Sequence, residues 1–483
     1  MTEHADVDPE AESAAGLSSV EDHGGPITTP ATWRVGAGII LVGGLALGVI
    51  APGGAIDVWI AVGLPVALAV GVIPILRASR RPPIESGALE AVASRPLPTV
   101  LVLIGGRDEA GVIPNLMADL GAQDHRDPDG SPRFRVTVVD DRSTDGTGVV
   151  TKASAAQHGL EAVTSVLRRE GSGLADGKGA ALASAHAERS EMDVVAVLDA
   201  DARIGPGYLR RVAQYVAAGV PALTARRRTL EPERSVLAMV QADEQTQDGE
   251  LQSGRYASGG CSEFRGNGFA IRRDLLAAVG GVPGASLTED LELSARLAAG
   301  QGITVAWAMD LEVWEEAVPN WPSLWRQRLR WSEGGLRRLF GLGPSVLRSA
   351  HLSLRARWDF AAYGAQLAAP PIIVGALVGG LVFGRPLLPV GLVASYLVAG
   401  GVLAFDALRW EVGPDGSGVP TPQRLARTIR VALFSLLWLA AINGALWRLL
   451  ARNGAVRYDK TARAAASSGG PSDGSKVAGS SKA

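Results

Sequence analysis

A polar middle bracketed by long apolar stretches, two before it and three after, limits this chain more than any other feature. The leading pair is "VGAGIILVGGLALGVIA" (35–51) and "IDVWIAVGLPVALAVGVIPIL" (56–76); the trailing three run roughly over 361–384, 387–405 and 431–450. Stretches near twenty residues are long enough to cross a hydrocarbon core, the first of the five being marginal. Hydrophobic residues make up 47% of the chain and aromatics only 5%, which fits apolar segments kept apart from an ordinary soluble part. Burial of all five in one large soluble core is the competing reading, and their length and lack of charge argue against it.

Basic residues orient the chain. Arg77, Arg80 and Arg81 follow the second stretch, and the short 52–55 loop carries none, so the positive-inside rule puts 82–340 on the cytoplasmic side of a plasma membrane of bacterial inner-membrane type. Arg409, Arg424, Arg427 and Arg430 also fall inside if the third and fourth stretches both cross. A fifth crossing would then strand Arg452, Arg457, Lys460 and Arg463 outside, which leaves the C-terminal topology open. The resulting division is an acidic, disordered 1–32, two membrane helices in 33–81, a soluble domain over 82–340, an amphipathic surface helix over 341–360, about three membrane helices in 361–450, and a basic then low-complexity tail over 451–483.

Several function classes drop out. A net charge of −2 gives no global basic field for nucleic acid. The single cysteine, Cys261, excludes an intramolecular disulfide framework and a cysteine-rich metal site. A transporter needs ionisable groups within its spans, and these are nearly free of them.

The middle alternates "PTVLVLI", "FRVTVVDD", "AVTSVLRR" and "DVVAVLDAD" with helical patterns over 109–122, 145–157 and 178–189. That rhythm predicts an α/β fold with a mostly parallel sheet, whose ligands gather at the carboxyl ends of strands. The acids stand there: Asp108 and Glu109 after the first strand, Asp140 and Asp141 after the second, Asp199 and Asp201 after the fourth. Asp-x-Asp after a buried strand offers two hard oxygen ligands suited to Mg²⁺ or Mn²⁺ beside a diphosphate. Either acid pair, taken alone, also reads as an ordinary turn. No Walker spacing accompanies Lys178 in "GSGLADGKGAAL".

Two further segments carry chemistry. In "LTEDLELSARLAAG" (287–300), Ser286 and Glu289 fit a capping box, and at about 100° per residue Glu289, Glu292 and Arg296 share one polar stripe. Asp290 falls opposite, among Leu291, Leu293, Leu297 and Ala298, where a carboxylate is costly without a partner or a use. In "NWPSLWRQRLRWSEGGLRR" (320–338), Gln327, Arg330 and Trp331 occupy adjacent faces of one helical segment. Forked guanidinium donors suit diphosphate oxygens, an indole suits the apolar face of a sugar, and a basic helix on anionic lipid is the alternative.

Together, "VVDDRSTDGT", "GKGAAL", "VLDADA", "RGNGFAIRRDLL" (265–276), "LTEDLEL", "WEEAVP" (314–319) and "QRLRW" (327–331) resemble the processive-type branch of family 2 glycosyltransferases. These are membrane enzymes related to cellulose, hyaluronan and poly-N-acetylglucosamine synthases. The resemblance covers most of 98–340, and "YDKTAR" (458–463) matches such enzymes' ending only loosely. It implies a GT-A fold and inverting transfer from a nucleotide-diphosphate sugar, with a UDP-linked hexose or N-acetylhexosamine expected. By position, Asp108, Glu109 and Asp141 would lie by the nucleoside, and Lys178, Asp199, Gln327 and Arg330 on the donor. Asp201, with Asp199, would hold the metal, Asp290 would be the general base, and Trp331 would meet the acceptor. Glu289 and Glu292 would pair with Arg296. "IGGRDE" departs from relatives that carry a Pro and an Asn there. Five short, Gly-rich stretches are few for a polymer path, which favours a single transfer to a lipid or glycan acceptor, or a synthase with a membrane partner.

Overall fold

The computed structural model describes residues 27–50, 55–93, 95–170, 175–186, 191–412 and 417–452. Most of the expected disordered N-terminus and C-terminal tail lies outside the described residues. Thr28 and Thr29 do not follow that expectation: both accept hydrogen bonds from Arg337, at 2.9 and 2.6 Å.

The soluble part is one eight-stranded sheet in the order β3-β2-β1-β4-β7-β6-β8-β5. Its parallel half comprises β1 (Val100–Gly106), β2 (Phe134–Asp141), β3 (Thr164–Arg169) and β4 (Val194–Asp199). These are the four strands expected from the alternation. The other half was not legible: β5 (Arg203–Ile204), β6 (Ala222–Thr229), β7 (Phe269–Arg272) and β8 (Ala306–Glu315). There β7 runs antiparallel between β4 and β6, and β6 pairs parallel with β8.

Side chains alternate across the sheet as a period of two demands. Val100, Val102, Ile104, Val136, Val138 and Leu198 enter one core, and Leu101, Leu103, Val139, Val195 and Val197 the other. Register sets Gly106 beside Asp140 and Gly105 beside Asp199, so the acidic strand ends form one edge.

Among the described residues five helices are long and apolar enough to cross a membrane: Ala31–Ile50, Trp59–Ala78, Leu354–Phe383, Leu387–Trp410 and Thr421–Ala451. Val35, Ile39, Trp59 and Leu381 are exposed on them, which a large soluble core would not tolerate. Two pairs pack backbone to backbone. Gly44 and Gly48 of the first helix meet Gly375 and Gly379 of the third in parallel, and a Cβ on Gly44 would stand 2.8 Å from Pro371. Gly391 of the fourth helix leaves no room for a Cβ against Ala61 of the second. Small residues at four-residue spacing allow this approach.

The expected surface helix over 341–360 is divided. Residues through Arg348 continue the long helix Trp321–Arg348, and a new helix, Leu354–Ala365, starts from a Ser353 cap. Beside the apolar helices lies Val236–Ala257, a polar helix whose acids grip neighbouring elements: Glu250 holds Arg80, Glu244 holds Arg328, and Asp248 holds Arg265 at 2.7 Å.

Candidate active site

Strand β1 ends in Gly105 and Gly106, and the chain then turns through Asp108 at φ +54°. This turn is clasped to the loop after β2. The Asp108 amide donates to Ser143 Oγ (2.9 Å), and the Thr144 amide donates back to Asp108 Oδ1 (2.7 Å). The Glu109 amide donates to Thr147 Oγ1 at 2.8 Å. Asp145, rather than Ser143 or Thr144, satisfies the first amide of the following helix, accepting from Thr147 N at 3.0 Å. Asp141 is buried, with Arg169 at 2.9 Å and Arg142 at 3.0 Å.

Asp199 closes β4, and Lys178 stands against it at 2.5 Å. The Lys178 ammonium also donates to the Gly266 carbonyl and lies 3.8 Å from Glu289. Burial works to discharge it, but Asp199 and Glu289 outweigh burial and hold its pKa above the ordinary lysine value. Asp201 is pushed well up, by burial first and then by Asp199 and Glu315. Asn267 ties the group together: its Oδ1 accepts from the Asp199 amide (3.1 Å) and its Nδ2 donates to Glu315 (3.2 Å).

Helix Glu289–Gln301 enters the site end-on. The expected capping box does not form. Thr288 is the N-cap, without a side-chain cap bond, and Ser286 Oγ accepts from the Thr288 amide at 3.3 Å instead. Arg296 pairs with Glu292 (2.7 Å), as expected, but not with Glu289. Glu289 is buried toward Lys178, and burial, reinforced by Asp290 and eased by Lys178, lifts its pKa to about 7. Asp290 is buried too; burial raises its pKa, with Arg265, Lys178 and Arg227 pulling the other way. The helix wheel separates lateral faces, whereas this cavity caps the helix end, so first-turn residues from opposite stripes both reach it.

The helix Trp321–Arg348 starts at Asn320, whose Oδ1 accepts from the Ser323 amide at 3.0 Å. Gln327, Arg330 and Trp331 line the same cavity as the acids. Arg328 is buried between them, bonded to Glu244, with its guanidinium 4.4 Å from the Trp331 ring centre. Arg227 stands 5.6 Å from that ring, and Trp438 is stacked on it at 6.3 Å. Trp331 is therefore held by cations and a second indole, leaving only its remaining surface for the cavity.

One cavity of about 770 Å³ gathers every residue given a donor, metal, catalytic or acceptor role from the sequence: Asp108, Glu109, Asp141, Lys178, Asp199, Asp201, Asp290, Gln327, Arg330 and Trp331; Asp140, also at a strand end, is not among its lining and pairs with Arg168 at 3.0 Å. It continues past Gln366 and Leu367 to Tyr396, Leu403, Val431, Phe434 and Trp438, which belong to the apolar helices. Arg227, Arg328 and the Asn267–Glu315 link had no role from sequence, and Glu289 had only a structural one. Asn267 and Glu315 sat inside the quoted motifs, while Arg227 on β6 carried no signal. Among the described residues no group of three or more His, Cys, Asp or Glu is placed to hold a metal. Asp199 and Asp201 fit a hard divalent cation only as a two-carboxylate site completed by diphosphate or water. Burial contributes most to the upward push on Asp201, and a cation would relieve the part that comes from Asp199 and Glu315.

Residues 98–334 match the glycosyltransferase-like family 2. The chain is 32% identical over 283 residues to a β-monoglucosyldiacylglycerol synthase of Synechocystis sp., covering 58% of this chain and 56% of that enzyme. This chain thus spans little more than half of that relative. A Nostoc sp. protein of the same name is 29% identical over 375 residues, covering 76% of each. Among solved structures, a mannosyltransferase from Pyrobaculum calidifontis in complex with GDP-mannose and Mn²⁺ is similar over 81% of this chain and 99% of its own, with 19% identity and a TM-score of 0.49.

Proposed function

We propose that this protein transfers a sugar, with inversion, from a nucleotide-diphosphate donor to a hydroxyl of a membrane lipid, a reading supported by the match of residues 98–334 to the glycosyltransferase-like family 2. The observation that carries this reading is the single cavity running from the acidic strand ends to side chains of the apolar helices. A donor at the sheet edge and an acceptor head group arriving from the membrane side meet there. The relatives' name, monoglucosyldiacylglycerol synthase, supports a diacylglycerol-based acceptor and a hexose. UDP remains the expected carrier.

Asp108, Glu109 and Asp141 flank the nucleoside, and Lys178, Gln327 and Arg330 face the diphosphate. Asp199 and Asp201 hold Mg²⁺ or Mn²⁺, which supplies charge stabilisation to the departing diphosphate. Asp290 accepts the proton of the attacking hydroxyl; its raised pKa makes it a stronger base than a surface carboxylate. Trp331 borders the acceptor. In this reading the domain faces the cytoplasm of a bacterial inner membrane, and the chain is multi-pass.

The test is nucleoside diphosphate release by membranes carrying the protein, with UDP-, GDP- and dTDP-sugars, diacylglycerol, and Mg²⁺ or Mn²⁺. Donor-specific release that needs metal and yields a lipid with one added sugar supports the reading. A growing polymer would instead place the protein with the processive synthases, with or without a partner membrane protein. Release unchanged by removal of diacylglycerol would overturn the acceptor.

A further inference from the structure

The helix Thr421–Ala451 is as long and apolar as the other candidate spans, yet it is gripped by the soluble domain along its length. Arg427 and Arg430 each reach the buried Asp243 at 2.6 Å. Trp438 Nε1 donates to Glu244 at 2.7 Å, and Arg448 lies 3.3 Å from Glu333. Asp243 and Glu244 belong to Val236–Ala257, and Glu333 follows the cavity residue Trp331 on Trp321–Arg348. From Arg430 to Arg448 a helix advances roughly 27 Å, close to the full hydrocarbon thickness of about 30 Å. Crossing would carry Arg448, and Glu333 with it, to the face opposite Asp243. Both acids, however, are part of one domain.

The membrane helices agree. Arg424 lies over Phe405 (3.9 Å), at the end of Leu387–Ala407, and Ile442, Ala445 and Leu446 pack on Ala37 and Leu41, in the first half of Ala31–Ile50. Away from the domain, Leu425, Ile429, Leu433 and Trp447 are 53%, 53%, 55% and 60% exposed. At about 100° per residue they fall within an arc of roughly 80°, opposite the contact side chains.

We infer that Thr421–Ala451 does not cross the membrane but lies in the plane of its cytoplasmic surface, polar side on the domain and apolar stripe in the acyl chains of that leaflet. Lipid is the occupant because the stripe continues the exposed apolar faces of the neighbouring helices, Val35 and Ile39 among them. Four of the five candidate helices then cross, and Arg452, Arg457, Lys460 and Arg463 join Arg77, Arg80 and Arg81 on the positive side.

Two measurements on the full chain test this. Spin labels at Ile429→Cys, Leu433→Cys and Trp447→Cys, in nanodiscs, report depth through competing collisions with oxygen and a water-soluble nickel chelate. A surface helix gives three shallow depths within about one helical turn, ~5 Å. Depths at 429 and 447 that differ by roughly 27 Å, or labels fully in water, overturn the proposal. In intact cells and inverted vesicles, an impermeant maleimide is then applied to Ser467→Cys and, separately, to Glu161→Cys on the soluble domain; Cys261 is buried. Matching sidedness is expected, and labelling of Ser467→Cys alone in intact cells refutes it.

Discussion

Replacing Asp290 with Asn separates chemistry from folding. The side chain keeps its size, so the helix Glu289–Gln301 and the Thr288 cap have no steric reason to move. What disappears is the proposed proton acceptor. General-base catalysis contributes about 10²–10⁴-fold, and burial of Asp290 keeps bulk water from deputising. The upper half of that range, about 10³–10⁴, is expected, equivalent to ~4–5.5 kcal/mol in the barrier. Stability should move the other way. Asp290 has a raised pKa in the folded state, so the unfolded chain binds fewer protons there and stability falls as pH rises from the ordinary Asp value through the raised one. Asn removes that cost, so at pH 8 the variant should melt no lower than the wild type. The assay is nucleoside diphosphate release against pH, alongside thermal melts in detergent. In the wild type the rising limb of kcat/KM should sit above the ordinary carboxylate range of about 4. Because Glu289, lifted to about 7, adjoins Asp290, that limb belongs to the pair. Activity within threefold of wild type in the Asn variant, or a limb near pH 4, would refute the assignment.

Other expectations follow from single contacts. Lys178→Met leaves Asp199 and Glu289 facing each other without their shared cation; because Asp199 is about a third exposed, a loss of ~1–3 kcal/mol in stability is expected, below the range for a fully buried pair, with KM for the donor raised, as read by melts and initial rates. Gly334→Ala drives a Cβ into the Thr288 side chain, next to the first turn that carries Asp290; it should cost ~1–3 kcal/mol by overpacking and lower kcat more than it raises KM. Asp243→Asn takes a full charge from Arg427 and Arg430, each about a quarter exposed; a detergent melt should fall by an equivalent of ~1–3 kcal/mol, below the range for fully buried pairs. Chelation with EDTA should abolish release and Mn²⁺ or Mg²⁺ restore it, with Asp201→Asn needing more metal for half-recovery.

The parallel half of the sheet was readable because β1, β2 and β4 are mostly apolar runs with acids at their ends or just after them, so both strand and ligand edge could be placed at once. The antiparallel half was hidden by its own chemistry. Strand β6 ends in Arg226, Arg227 and Arg228, which break the apolar pattern yet are satisfied by Glu411 and Glu315 from elsewhere in the chain. Glu289 was misplaced for a geometric reason: a wheel sorts the sides of a helix, not its end. The last apolar stretch reads as a candidate span because hydropathy averages over a helix and does not record which face meets charge. The conflict it raised among basic residues was nonetheless visible in the sequence, and the contacts to Asp243 and Glu333 supply a physical ground for it.

The glycine contacts between apolar helices bear on how a lipid reaches the cavity. Gly44 and Gly48 against Gly375 and Gly379, and Gly391 against Ala61, bring main chain onto main chain. Seams closed that tightly admit no acyl tail, and each pair behaves as one stiff rod. For the lipid acceptor proposed above, the joint between the two pairs is the candidate entry, where Leu367 stands on one side and Tyr396 and Leu403 on the other. Widening that joint needs a tilt of whole rods rather than the swing of a single helix, so acceptor entry would respond to bilayer thickness and lateral pressure as well as to the chemistry of the head group.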